Sequence, residues 1–151
     1  MPYGVTMSEP VQASAHQAPD EVSDGTVEGV GKLSEAFEYV ERARGHLYSF
    51  HQLMGRADFL VEEASGLLRD AGHTDLAQRL DEELVGRNVL HGRWTFQVVE
   101  EYDDTYYDYF RALDREVTDE LMGGVRHVFE ARLKERRRTH GRPAHEADPR
   151  G

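Results

Sequence analysis

Apolar residues recur along this chain with a helical period, and one stretch repeats with unusual regularity. Leu33, Val40, Leu47, Met54, Val61 and Leu68 fall every seventh residue. Three positions after each stand Ala36, Ala43, Phe50, Ala57, Ala64 and Ala71. A third row, Tyr39, His46, Leu53, Leu60 and Leu67, widens the stripe. A sustained seven-residue repeat is the signature of a helix that packs along a seam. Large residues at one seam position and mostly alanine at the other let a partner helix approach closely. The pattern predicts a helix from Leu33 to about Ala71, about 58 Å long at 1.5 Å per residue. Gly72 is placed to cap it in the left-handed conformation.

Thr74 suits an N-cap and Asp75 the first turn of a second, shorter helix. Leu76, Leu80 and Leu84 give that helix one apolar edge, and it should end near Gly86. The link GRNVLHGRWTF reads as a loop whose aromatics close one bundle end, with a brief alternation at Trp94, Phe96 and Val98. Beyond it, 100° per residue gathers Val99, Tyr102, Tyr106, Tyr109, Phe110, Leu113 and Val117 on one face. Glu100, Glu101, Asp103, Asp104 and Asp108 fall mainly outside that face. The tyrosine-rich run EYDDTYYDYF therefore reads as an amphipathic helix with a solvated acidic back. The phase continues through Leu121, Val125 and Val128, which predicts one bent helix to about Arg138 across Gly123–Gly124.

The expected fold is all-α: two long antiparallel helices with a short one between them. Residues 32–139 would form the helical domain. Residues 1–31, rich in Ser, Pro, Gly and acids without an apolar period, and residues 140–151 would be disordered tails. A short helix leaves part of the first helix's wide stripe uncovered. The uncovered surface predicts a homodimer through Leu33, Val40, Leu47, Phe50, Met54, Val61 and Leu68.

Composition narrows the function classes. The 151 residues include no cysteine, which excludes disulfides, thiol nucleophiles and thiolate metal sites. No apolar run approaches a membrane span, and no basic, apolar-cored leader opens the sequence. A cytoplasmic protein is the expectation, and Met7 is an alternative start. Arginine outnumbers lysine sixteen to two, which points to a GC-rich, bacterial genome. Residues 1–125 hold 10 basic and 25 acidic residues, net −15, while residues 126–151 hold 8 and 4, net +4. The acidic body argues against nucleic-acid binding. Arg136, Arg137 and Arg138 at the basic end keep a local contact with a nucleic acid or an acidic protein open, although the lack of interleaved stacking aromatics weakens the nucleic-acid version.

No phosphate loop, zinc helix motif or nucleophile elbow occurs. The absence favours a non-enzymatic interaction protein with an unidentified protein partner. The alternative is a metal-dependent or acid–base site. Glu116 and Glu120, four residues apart, present two carboxylates from one turn. If two long helices run antiparallel with ends aligned, His46 faces Glu120 to Gly124. His46, Glu116, Glu120 and His127 would then offer a divalent first-row metal nitrogen and oxygen ligands, although His127 lies about 10.5 Å along the axis from Glu120. A plain core pair of His46 with Glu120 is the structural counterpart. At the loop, Arg87, His91, Arg93 and Trp94 form a candidate anion or partner site. The duller alternative has those arginines cap helix ends and pair with acids such as Glu82 and Glu101.

Overall fold

The computed structural model describes residues 14–150, so residues 1–13 of the expected N-terminal tail lie outside the described residues. The regular elements are helical. A 3-10 turn at Ser14–His16 precedes α1 (Asp24–Asp70), α2 (Thr74–Glu83) and α3 (Thr95–Glu101). A π-helical segment, Tyr102–Tyr107, leads into α4 (Asp108–Met122), and α5 (Val128–Arg137) comes last. Among the described residues an isolated bridge, Leu90 with Arg93, stands in for any strand. The chain is all-α. Its described residues divide into two compact units, Tyr39–Tyr109 and residues 14–38 with 110–150.

In the Tyr39–Tyr109 unit, α1 meets the rest of the chain through polar residues spaced seven apart. Arg44 Nε and Nη2 donate to the two carboxylate oxygens of Asp103 at 2.7 and 3.0 Å. His51 Nδ1 lies 2.7 Å from Thr95 Oγ1. Asp58 accepts the Gly86 N–H at 2.8 Å. Ser65, buried, donates to the Ala77 carbonyl at 3.0 Å. Ser65 and Ala77 are small enough to let α1 and α2 approach at that point. The row Val40, Leu47, Met54, Val61 and Leu68 lies beside these contacts and is half-buried.

The end of α1 forms as expected. Gly72 takes φ +92°, and the His73 N–H reaches back to the Leu68 carbonyl at 2.9 Å. Thr74 is the first residue of α2 rather than its cap, with His73 at the cap position. The tyrosine run departs from the expected face. A π turn holds more residues than an α turn and shifts the phase of the residues beyond it. Asp103 and Tyr107 turn inward as a result, while Tyr106 and Tyr109 are exposed. Tyr107 donates to Glu41 at 2.6 Å, and its ring lies 5.0 Å from the Arg44 guanidinium. Asp103 is thus a buried-side partner and not part of a solvated back.

In the other unit, Val27, Val30, Met122 and Val128 form a core against which Ala18, Val22, Val117, Val125 and Phe129 pack. The first helix therefore starts at Asp24, eight residues ahead of Lys32, because Val27 and Val30 have a core to enter. Phe37 stacks on Phe110 at 5.7 Å, and Ser34 donates to Asp114 at 2.9 Å. The expected single helix to Arg138 is two. Gly123 and Gly124 take φ of +58° and +78°, and His127 takes +61°. These left-handed residues end α4 and start α5, bringing both Met122 and Val128 into the core. Arg138 is buried and bonds Glu135 at 2.6 Å and the His145 carbonyl at 3.3 Å. Residues 140–150 include turns tied back to the chain by that contact, where the sequence suggested a free tail.

Candidate functional site

The seven-residue repeat of α1 carries two kinds of surface. The Val40 row and the Arg44 row face the chain itself. The remaining apolar rows do not. Ala43, Phe50, Ala57 and Ala64, with Tyr39, His46, Leu53, Leu60 and Leu67, are all exposed. Tyr39 is 62% exposed, Leu53 66%, Leu60 46% and Leu67 72%. Their spacing alternates three and four residues from Tyr39 to Leu67, which draws one continuous seam about 42 Å long. Arg42, Ser49, Arg56, Glu63 and Asp70 run beside it, again seven apart. The Arg42 guanidinium lies 5.7 Å from the Tyr39 ring.

Of the dimer residues expected from sequence, Phe50 lies on this exposed seam. Val40, Leu47, Met54, Val61 and Leu68 pack within the Tyr39–Tyr109 unit, and Leu33 is half-buried in the other.

No protein-family model matches this chain, and neither does any curated protein or solved structure.

The four candidate metal residues are divided between the two units. His46 is exposed in the Tyr39–Tyr109 unit, where the Arg44–Asp103 and His51–Thr95 contacts set it level with the residues between Thr95 and Asp103. Glu116 and Glu120 are exposed on α4, in the other unit. His127 sits in the turn before α5, 3.9 Å from Glu130. Among the described residues, no group of three or more His, Cys, Asp or Glu is placed to hold a metal ion. The expected alignment of His46 with Glu120 assumed α1 and an unbroken C-terminal helix with matched ends. Within the Tyr39–Tyr109 unit, the Arg44–Asp103 and His51–Thr95 contacts set a different register from that alignment.

At the loop, Arg93 pairs with Glu101, and Arg87 donates to the Glu83 carbonyl at 3.4 Å. Trp94 is exposed and its ring lies 5.1 Å from Phe96. The Trp94 N–H donates to Gln97 Oε1 at 2.9 Å, which secures the start of α3. His91 is exposed. Asn88, Gly92, Arg93, Trp94 and Gln97 line a shallow depression of about 270 Å³. Its guanidinium is already engaged by a carboxylate, which reduces its pull on an added anion.

At the basic end, Arg136 and Arg137 are exposed while Arg138 is spent on Glu135. Arg138 and His140 together hold the Glu135 carboxyl below its ordinary pKa. In the Tyr39–Tyr109 unit the Arg44 guanidinium likewise lowers the Asp103 carboxyl, and burial raises the Tyr102 phenol. The row Arg44, His51, Asp58 and Ser65 escaped sequence reading because polar residues do not register in an apolar period. Its signal was the spacing of seven itself.

Proposed function

We propose that this chain is a non-enzymatic helical interaction protein that self-associates through α1. The observation that carries this reading is the exposed seam from Tyr39 to Leu67. Four of its large side chains are between 46% and 72% exposed, in a regular three–four spacing. Isolated exposed apolar residues need no explanation, but a continuous strip of them marks a contact surface. Within the Tyr39–Tyr109 unit we take α1 and the helical turns after Thr95 as an antiparallel pair that supports the strip. No helix among the described residues is long and apolar enough to cross a membrane, and we place the protein in the bacterial cytoplasm.

Light scattering across micromolar concentrations tests the reading. Mass should rise from 17.2 kDa toward twice that value. A mass that stays at the monomer value through tens of micromolar would remove self-association. Pull-down from an extract then becomes the search for a different protein partner.

A further inference from the structure

Small and large residues alternate along much of the seam: Tyr39, Ala43, His46, then Phe50 and Leu53, then Ala57, Leu60, Ala64 and Leu67. We infer that the seam is covered by the same seam of a second copy running antiparallel, in the register that sets Ala43 opposite Leu60 of the other copy. This orientation rests on the self-association proposed above.

Layer by layer, that register places Tyr39 opposite Ala64, Ala43 opposite Leu60, and His46 opposite Ala57. The central layers pair Phe50 with Leu53. Every layer but the central ones therefore sets a large side chain against a small one. Two helices can then keep one spacing along the contact, as interdigitating layers require. A parallel, in-register pair behaves differently. It stacks alanine on alanine in one layer and leucine on leucine in the next, so no single interaxial distance suits both.

Charge on the flank points the same way. In the antiparallel register Arg42 of each copy comes level with Glu63 of the other, and Ser49 with Arg56. Sliding by one heptad, so that Ala43 meets Leu67, would exchange Arg42–Glu63 for Arg42–Asp70 and bring Arg56 level with the Arg56 of the other copy. Like charges across a seam disfavour that alternative. Antiparallel α1 helices also oppose their macrodipoles.

The size suits a weak contact. In this register the two seams overlap over residues 39–64, and a strip about 38 Å long and about 10–12 Å wide on each copy would cover about 750–900 Å² in total, the range of transient interfaces. The contact should be reversible, in the micromolar range.

The absence of cysteine makes a clean test. Ala43→Cys and Leu60→Cys are made separately in the full chain, with helical content checked by circular dichroism, and oxidised alone and mixed. The expected result is a covalent dimer in the mixture, and none from either variant alone. In this register the two copies of residue 43 lie about 25 Å apart along the axis, far beyond disulfide reach. Self-linking of Ala43→Cys would overturn the orientation. Linkage of Ala43→Cys to Leu67→Cys in preference to Leu60→Cys would overturn the register. If no pair links while the unmodified chain still scatters as a dimer, the seam is not the interface. If the unmodified chain is monomeric, the self-association reading itself fails.

Discussion

Asp103 lies in a run of acids and tyrosines, yet it behaves as a partner. Its two oxygens accept from Arg44, whose guanidinium also faces the rings of Tyr107 at 5.0 Å and Tyr48 at 5.9 Å. The pair is only partly shielded from water, so Asp103→Asn should cost about 1–2 kcal/mol at pH 6, measured by urea unfolding. The folded-state pKa is depressed, so the contribution is complete well above the ordinary value near 3.8 and fades as pH falls from there through the lower folded value. The gap between Asp103→Asn and the parent should therefore shrink between pH 5 and pH 3. Glu135 is depressed by its own partners, so the substitution flattens only part of the acid limb. An equal gap at both pH values would show that Asp103 does not titrate in that pair. Gly31 is the other residue whose neighbour decides its role. A Cβ built there would lie 2.7 and 2.9 Å from Phe129 Cβ and Cγ. Gly31→Ala should destabilise by about 1–3 kcal/mol through overpacking, despite alanine's better helix propensity. Stabilisation on thermal melting would contradict that close approach.

Within α1, neighbouring positions should respond in opposite ways. Leu53 belongs to the exposed seam and Met54 to the half-buried row. Leu53→Glu should leave the dilute monomer's stability within about 0.5 kcal/mol and weaken self-association about 30-fold or more. Met54→Glu should lower the stability of the monomer itself by about 2 kcal/mol or more, because a charge replaces packed apolar surface. Sedimentation and thermal melts on both variants separate the effects, and a shared loss of monomer stability would mean the seam is internal. The helix, its repeat and its glycine cap were legible in the sequence because apolar spacing reports them directly. Which rows face inward was not legible. Three of the rows are largely apolar, and the row that decides the matter holds Arg44, His51, Asp58 and Ser65. The start at Asp24 was hidden by Gly25, Gly29 and Gly31, whose low propensity masks a core contact at Val27 and Val30. The break after Met122 was hidden because the apolar phase runs through Gly123–Gly124 unchanged, while the backbone there turns left-handed. The π segment left no trace in the pattern, and it displaced the tyrosine face.

Charge is the property of the whole molecule that tells two kinds of contact apart. Each copy carries a formal −11, so bringing two together costs electrostatic repulsion that added salt screens. The Debye length falls from about 30 Å at 0.01 M to about 8 Å at 0.15 M ionic strength, which removes most of that repulsion. An apolar seam is itself little affected by salt, and its exposed flanking pairs contribute at most about 1 kcal/mol. Self-association through Tyr39–Leu67 should therefore tighten between 0.01 and 0.15 M NaCl. A contact made instead by Arg136 and Arg137 on the acidic body of a second copy should weaken over the same range, because salt screens attraction too. Mass action supplies the readout. If the native state dimerises, Tm rises with protein concentration. A hundredfold increase above the dissociation constant is worth about 2.7 kcal/mol per dimer, or about 1.4 kcal/mol per chain, a shift of a few degrees for a chain of this size. That shift should be larger at 0.15 M than at 0.01 M, and Leu53→Glu should abolish it at both. A shift that survives Leu53→Glu but disappears when Arg136 and Arg137 are changed to glutamine, and that shrinks with salt, would place the contact at the basic end. The opposite salt signs keep these two outcomes distinct even though both would appear in light scattering as the same dimer.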